Sequence, residues 1–175
     1  MNNRVYLGID VGAKGFLTLN TGTDFEFYSI EDNDYYQLGE ILKEIKSKYP
    51  NVVCSMEDVH AIFGSSAKAT FSFGEINGLL KGLLIANNIP YHLVAPKTWQ
   101  REMWDNKDLV LSYKTITIKD KQTTKKEINT KQTSFNAAKR MFPTIDLRRT
   151  PRCKNYDDNK VDSLLISEYA RRKNL

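Results

Sequence analysis

Short apolar runs with high β-propensity alternate along this chain with segments in which apolar residues recur at helical spacing. The predicted strands are residues 5–10, 16–20, 25–30, 52–57 and 89–94. The predicted helices are residues 35–49, 66–88, 96–104, 133–142 and 157–173. Because short turns join the first three strands, we expect them to form an antiparallel meander. The pattern predicts an α/β sandwich: a mixed five-stranded sheet with helices on both faces.

One segment, residues 105–133, departs from this pattern, because its lysines are interspersed with Thr, Gln, Asp and Asn. We expect a solvated, basic polar insertion that contains a β-hairpin of residues 109–113 with 115–118. The length of 175 residues favours a single domain, 1–175, that includes this insertion and buries a core without disulfides.

Positive charge is concentrated in the C-terminal part of the chain. Residues 1–100 carry 8 Lys and Arg against 11 Asp and Glu, whereas residues 101–175 carry 18 against 10. Such an asymmetry favours a polyanionic partner such as nucleic acid, although a solvated basic face has the same composition.

Cysteine usage and hydropathy indicate a cytoplasmic protein. Cys54 lies inside an apolar strand and is predicted to be a core residue, and Cys153 lacks neighbours at zinc-finger spacing. The N-terminus has no secretory pattern, and the longest apolar stretch, residues 78–86, is interrupted by Lys81. That stretch is too short to cross a bilayer, so no membrane partner is expected.

Four acidic residues lie at the ends of predicted elements. Asp10 and Glu57 end two apolar strands, while Asp158 and Asp162 stand one helical turn apart at the start of the last helix. Carboxylates that converge in space repel one another unless a cation lies between them, and hard oxygen ligands suit Mg²⁺ or Mn²⁺. Two such cations about 3.5–4 Å apart would support phosphodiester hydrolysis without a Ser-His-Asp arrangement.

Several sequence blocks carry a family resemblance. Gly-Ile-Asp-Val-Gly at 8–12, Met-Glu-Asp-Val at 56–59 and Asp-Asn-Lys-Val-Asp-Ser-Leu-Leu-Ile-Ser at 158–167 resemble RuvC-type Holliday junction resolvases of the RNase H-like superfamily. Residues 64–74 and 94–100 resemble the bacteriophage members in particular. The resemblance covers nearly the whole chain except the insertion and implies the RNase H-like fold.

The activity that this resemblance implies is that of a crossover junction endodeoxyribonuclease in DNA recombination and repair. Such an enzyme is a homodimer that resolves four-way junctions by paired nicks and leaves 5′-phosphate and 3′-hydroxyl ends. It uses two Mg²⁺ ions per site, with Mn²⁺ as a substitute, and no small-molecule cofactor. Its location would be the cytoplasm, that of the host cell if the protein is encoded by a phage.

The resemblance also assigns roles by position. Asp10 would bridge the two metal ions, Glu57 would bind the ion that activates water, and Asp158 with Asp162 would complete the site. The acid pair of the bacterial enzymes is usually three residues apart, but here Asn159 precedes Asp162 by three. Asp158 and Asp157 therefore both stay open as the fourth ligand.

DNA contacts are predicted from the basic and aromatic residues outside the acidic set. Relatives place a wedging aromatic where this chain has His60, and Phe63 is the candidate to replace it. Alternatively, Phe63 packs under the long helix, as we expect for Phe71 and Phe73, while Trp99 and Trp104 are expected to be packing residues. The predicted phosphate contacts are Lys68, Lys97, Arg101, Lys119, Lys121, Lys125, Lys126, Arg148, Arg149 and Arg152.

Three glycines four residues apart, Gly74, Gly78 and Gly82, mark one face of the long helix. The resemblance implies that this helix contributes to a dimer interface, and the alternative is close packing within one subunit. Two other functions stay open: a general nuclease of branched DNA such as flaps and forks, or a catalytically silent junction-binding module. Actin-like ATPases open with a similar Asp-x-Gly but need a second copy of the core, for which 175 residues leave no room.

Overall fold

The computed structural model describes the backbone of residues 4–58, 66–118 and 121–175, and their side chains except those of 116–118 and 121–123. Strands and helices alternate as the apolar pattern predicts. In chain order they are β1 Val5–Asp10, β2 Phe16–Asn20, β3 Phe25–Ser29, α1 Tyr35–Lys48, β4 Val52–Glu57, α2 Ala67–Ala86, β5 Tyr91–Val94, α3 Pro96–Met103, β6 Leu111–Ile118, β7 Lys121–Ile128, α4 Thr130–Met141 and α5 Asp158–Lys173.

The main sheet has five strands in the order β3-β2-β1-β4-β5. The first three form the predicted antiparallel meander, and β4 and β5 run parallel to β1. In the β1–β4 pair, Ile9 lies opposite Met56, so Asp10 and Glu57 follow one step later on neighbouring strands. The register therefore brings the first two predicted acids to the same edge of the sheet.

Helices cover both faces of the sheet, as predicted. Helices α1 and α2 pack on one face through buried residues such as Leu38, Leu42 and Leu80, in the same cluster as the fully buried Cys54. Helices α3, α4 and α5 enclose a second apolar cluster. None of the helices in the described chain is long and apolar enough to cross a membrane.

Helix α5 crosses β1 with backbone contact at Gly8. A Cβ atom at Gly8 would lie 2.3 Å from both the carbonyl oxygen of Ser163 and the backbone nitrogen of Ser167, so no larger residue fits there without moving the helix. The hydroxyl groups of Thr18 and Ser163 form a buried 2.6 Å hydrogen bond beside this crossing. These contacts place Asp162, the neighbour of Ser163, on the face of β1 that carries Gly8 and Asp10.

The insertion contains a hairpin, but its strands differ from the prediction. Strand β6 spans Leu111–Ile118 and pairs with β7, Lys121–Ile128, rather than 109–113 with 115–118. Lys114 therefore lies within a strand and not in the turn. Register is weakly specified when neither face of a hairpin is buried, so the polar sequence did not define it.

Two further predictions were wrong at this level. Helix α4 begins at Thr130 rather than 133, because the side chain of Asn129 accepts a hydrogen bond from the backbone of Gln132 and caps the helix. Phe71 is not a core residue: it is 76% exposed on the outer face of α2, whereas Phe73 packs against the core.

Polar contacts anchor the base of the hairpin to α4. The carboxylate of Asp108, 2% exposed, accepts hydrogen bonds from Nε and Nη2 of Arg140, which also donates to the carbonyl of Met103. The backbone of Val110 donates to Oγ1 of Thr133 and accepts from Asn129. The hairpin therefore projects from a base that is fixed to the rest of the fold.

Candidate active site

The four predicted acids converge at one edge of the sheet. Asp10 is buried, and this burial is the first cause that raises the pKa of its carboxyl group well above the usual value. Repulsion from the negative charges of Asp162 and Glu57, and then of Asp157 and Asp158, raises the pKa of Asp10 further. Residues from β1, β4 and α5 therefore share one electrostatic environment.

Asp162 faces the protein interior from the second turn of α5. Its pKa is raised to about 7, first by burial and then by the negative charges of Glu57 and Asp158, while a hydrogen bond with Ser134 acts in the opposite direction. Its Oδ1 atom is buried and has no hydrogen-bond partner among the described residues. A buried carboxylate oxygen without a donor is unfavourable, so this atom is suited to a ligand from outside the chain.

Glu57 is held by a tryptophan. The indole Nε1 of the fully buried Trp99, on α3, donates a 2.9 Å hydrogen bond to Oε1 of Glu57. Burial raises the pKa of Glu57, and the Trp99 hydrogen bond lowers it. Trp99 is a packing residue, as predicted, but it also contacts the candidate site, which the sequence did not indicate.

Asp157 and Asp158 have different surroundings. The Asp157 carboxylate caps α5 by accepting from the backbone of Asn159 and Lys160, and it forms a 2.7 Å ion pair with Nε of Arg149. Asp158 forms an ion pair with Nζ of Lys131, a residue in the first turn of α4. Asp157 thus stabilises the fold, whereas the ion pair of Asp158 among the described residues is with an exposed lysine.

The acids converge without forming a closed cage. Within the described residues, no three acidic, imidazole or thiol side chains are arranged to hold one metal ion. Glu57, Asp158 and Asp162 instead turn toward Trp99, Lys131 and Ser134. The mutual repulsion at Asp10 and the unpartnered Oδ1 of Asp162 nevertheless fit a divalent cation, since carboxylate oxygens are its preferred ligands.

The predicted phosphate contacts fall into three groups. Lys119 and the side chain of Lys121 lie outside the described residues, as do the predicted wedge Phe63 and its neighbour His60. Arg148 is half-buried and paired with Asp146 at 2.8 Å. The exposed residues are Lys68, Lys97, Arg101, Lys125, Lys126 and Arg152, of which Lys125 also forms a 3.1 Å ion pair with Glu127.

Arg149 has an internal role that the sequence did not indicate. Its guanidinium donates to Asp157, Glu31, Ser29 and the backbone carbonyl of Lys14. The same group lies 4.8 Å from the centre of the Phe16 ring, and the side chain is only 18% exposed. A DNA phosphate would have to compete with these partners, so the structure does not favour Arg149 as a phosphate contact.

Comparisons with known proteins give a structural match only. No family model matches the sequence, and no curated protein matches it either. The solved structure of T. thermophilus RuvC in complex with a Holliday junction substrate superposes with a TM-score of 0.55 at 9% identity, over 97% of this chain and 96% of that one. The chain has a RuvC-like fold. A second structure, Thermus thermophilus RuvC, gives a TM-score of 0.52 at 11% identity over the same shares of both chains.

The RuvC-like fold confirms the predicted architecture, a mixed sheet of the RNase H-like type with helices on both faces. At this level of identity the likeness concerns the fold and not the activity. What bears on function is the candidate site, in particular the acids that β1, β4 and α5 bring together.

Proposed function

We propose that this protein is a Mg²⁺-dependent endonuclease that resolves four-way DNA junctions by paired nicks. The observation that carries the proposal is the convergence of Asp10, Glu57, Asp158 and Asp162 within a RuvC-like fold. The resemblance of residues 64–74 and 94–100 to phage resolvases favours a bacteriophage enzyme that acts in the host cytoplasm.

In this proposal the four acids hold two Mg²⁺ ions, or Mn²⁺ as a substitute. These ions would supply an attacking hydroxide and stabilise the departing 3′-oxygen. Asp158 is preferred to Asp157 as the fourth ligand, because Asp157 already caps α5 and pairs with Arg149. Trp99 orients Glu57 and Ser134 orients Asp162, so two of the carboxylates have defined positions before substrate binds.

Lys131 belongs to the proposed site, although the sequence did not single it out. Its hydrogen bond and ion pair with Asp158 raise the pKa of Lys131, which keeps the ammonium group protonated. Once Asp158 turns to a cation, this ammonium group is released beside the acids. It would then be able to bind a phosphate oxygen of the DNA and offset its charge.

The proposed DNA surface extends from the acids over the basic helices and the hairpin. It contains Lys68, Lys97, Arg101, Lys125, Lys126, Arg148 and Arg152. Lys119 and Lys121 stay predicted phosphate contacts, and Phe63 stays the predicted wedge. Such contacts set affinity and orientation on DNA, and they carry no sequence information.

The outer face of α2 supports a homodimer. Phe71, Gly74, Gly78, Gly82 and Ile85 lie along one side of this helix, and Phe71 and Ile85 are 76% and 64% exposed. A Cβ atom at any of the three glycines would have no described neighbour within 4 Å. An apolar helix face with small residues permits close packing against a second copy, which would supply the second nick.

The decisive experiment is cleavage of an end-labelled synthetic four-way junction with Mg²⁺, beside a matched duplex and Y-fork. We expect paired symmetric nicks in the junction alone, and we expect Asp162→Asn to bind the junction without cutting it. Asp24→Asn, in an exposed turn, is the matched control and should cut normally. Cleavage by purified Asp162→Asn would contradict the assignment, and equal cutting of forks would indicate a general branched-DNA nuclease.

One observation favours a second candidate, a catalytically silent junction-binding module. In the described chain the acids do not form a ready cage for a metal ion, and Glu57, Asp158 and Asp162 each have another partner. Junction binding without cleavage in either Mg²⁺ or Mn²⁺ would support this alternative.

A further inference from the structure

We propose that one face of the β6–β7 hairpin binds exposed bases at a DNA branch point, with the ring of Tyr113 stacked on a base. This surface, the Tyr113 face, consists of Leu111, Tyr113, Lys126 and Ile128. The inference rests on the proposed function, because it takes branched DNA as the partner, and it adds a recognition element outside the acidic site.

Cross-strand pairing defines the Tyr113 face. Leu111 lies opposite Ile128, and Tyr113 lies opposite Lys126, so these four side chains share one side of the hairpin. On the other side, the two pairs nearest the base of the hairpin are polar: Ser112 with Glu127 and Lys114 with Lys125. Over residues 111–114 and 125–128, the apolar and aromatic side chains therefore lie on one face of the hairpin and the polar side chains lie on the other.

All three apolar or aromatic residues of this face are exposed to solvent to a large extent. Leu111 and Ile128 are 45% and 44% exposed, and Tyr113 is 69% exposed. Strands β6 and β7 form a sheet of their own, separate from the five-stranded sheet. Exposed apolar side chains grouped in this way mark a binding surface more often than isolated ones do.

The net positive charge around the Tyr113 face favours a polyanion as its partner. Residues 111–128 contain five lysines and two acidic residues, and Lys126 lies directly across from the Tyr113 ring. Proteins bind unpaired bases with aromatic rings for stacking and neighbouring cations for the phosphate chain. Duplex DNA offers few open base faces along its length, whereas a branch point exposes them.

Chain continuity places this face beside the acids. Strand β7 ends at Ile128, Asn129 caps α4, and Lys131 in the first turn of α4 pairs with Asp158. The hairpin strands have eight residues, which corresponds to a reach of about 26 Å. A branch point held at the Tyr113 face would thus lie close to the acidic site, with one duplex arm within reach of the hairpin.

Binding measured without divalent metal tests the inference separately from cleavage. The variants are Tyr113→Ala and Tyr113→Phe, with Tyr36→Ala on α1, where Tyr36 is 78% exposed, as the matched control. We expect Tyr113→Ala to weaken binding to a four-way junction about tenfold, because base stacking is lost. Tyr113→Phe and Tyr36→Ala should bind like the wild type, and duplex binding should change little in all three variants.

Two results would overturn the inference while leaving the proposed function intact. One is unchanged junction binding by Tyr113→Ala, and the other is an equal loss on junction and duplex, which would indicate a general backbone contact. Wild-type protein that binds no branched DNA would overturn the proposed function and this inference together. Thermal unfolding of each variant should match the wild type, because the Tyr113 side chain is largely exposed.

Discussion

The buried indole of Trp99 donates its hydrogen bond to Oε1 of Glu57 at 2.9 Å, which connects α3 to the end of β4 at the acidic site. A hydrogen bond to a charged group contributes about 1.5–3 kcal/mol. This donor restricts the orientation of Glu57 and favours its ionised form, which is the form that a metal ion needs.

Replacing Trp99 with Phe should therefore weaken metal binding. We expect the Mg²⁺ concentration for half-maximal junction cleavage to rise about tenfold, because Glu57 loses the donor that stabilises its charge. Trp104→Phe is the control, since the rings of Trp99 and Trp104 lie 6.3 Å apart but Trp104 Nε1 has no partner in the described chain. An unchanged Mg²⁺ dependence in Trp99→Phe would show that Glu57 does not depend on the indole.

Asp162 should make the stability of the metal-free protein depend on pH. Its pKa is raised from 3.8 to about 7, so the folded protein binds this proton more tightly than the unfolded chain does. The stabilisation is therefore complete below about pH 4 and is lost as the pH rises through 7. Unfolding by urea across this range should show wild type losing stability relative to Asp162→Asn, and parallel pH curves would contradict the assigned pKa.

Joint alanine substitution of Lys125 and Lys126 tests the contact between hairpin and phosphate. We expect weaker junction binding and a flatter dependence on salt, with the slope of log K against log salt reduced by up to about 2. Lys43 and Lys48, exposed on α1, form the matched control pair. An unchanged salt slope in the hairpin variant would show that these lysines do not meet the DNA backbone.

A charged residue at Gly78 should separate the proposed dimer. Gly78→Glu introduces a side chain where no described atom lies within 4 Å, and replacing glycine inside a helix favours the helix, so the subunit should fold. We expect a monomer in analytical ultracentrifugation and single nicks in place of paired ones. Ser47→Glu on the exposed side of α1 is the control, and a dimeric Gly78→Glu would exclude this face as the interface.

The sequence located the acids because strand ends and helix starts are local features. Asp10 and Glu57 follow apolar strands, and a parallel pairing of those strands was enough to bring them together. The sequence could not decide in this way whether Asp157 or Asp158 is the fourth ligand. Asp158 is preferred because Asp157 pairs with Arg149, a loop residue. That Arg149 is an internal residue can be recognised only in the folded chain.

Lys131 was missed because its role arises from the packing of α4 against α5. One signal in the sequence could have indicated it. A lysine in the first turn of a helix opposes the helix dipole, so a nearby anion is expected to compensate for it. Recognising that signal required the true start of α4 at Thr130, three residues earlier than the apolar pattern indicated.

Gly8 limits which substitutions the acidic site can accept. The backbone of α5 lies where a side chain at position 8 would be, so the separation between Asp10 and Asp162 depends on a residue with no functional group. Even the methyl group of alanine at Gly8 would push the helix away from the strand. The relative positions of Asp10 and Asp162 would then change although both acids were retained, so the proposed metal site requires glycine at position 8.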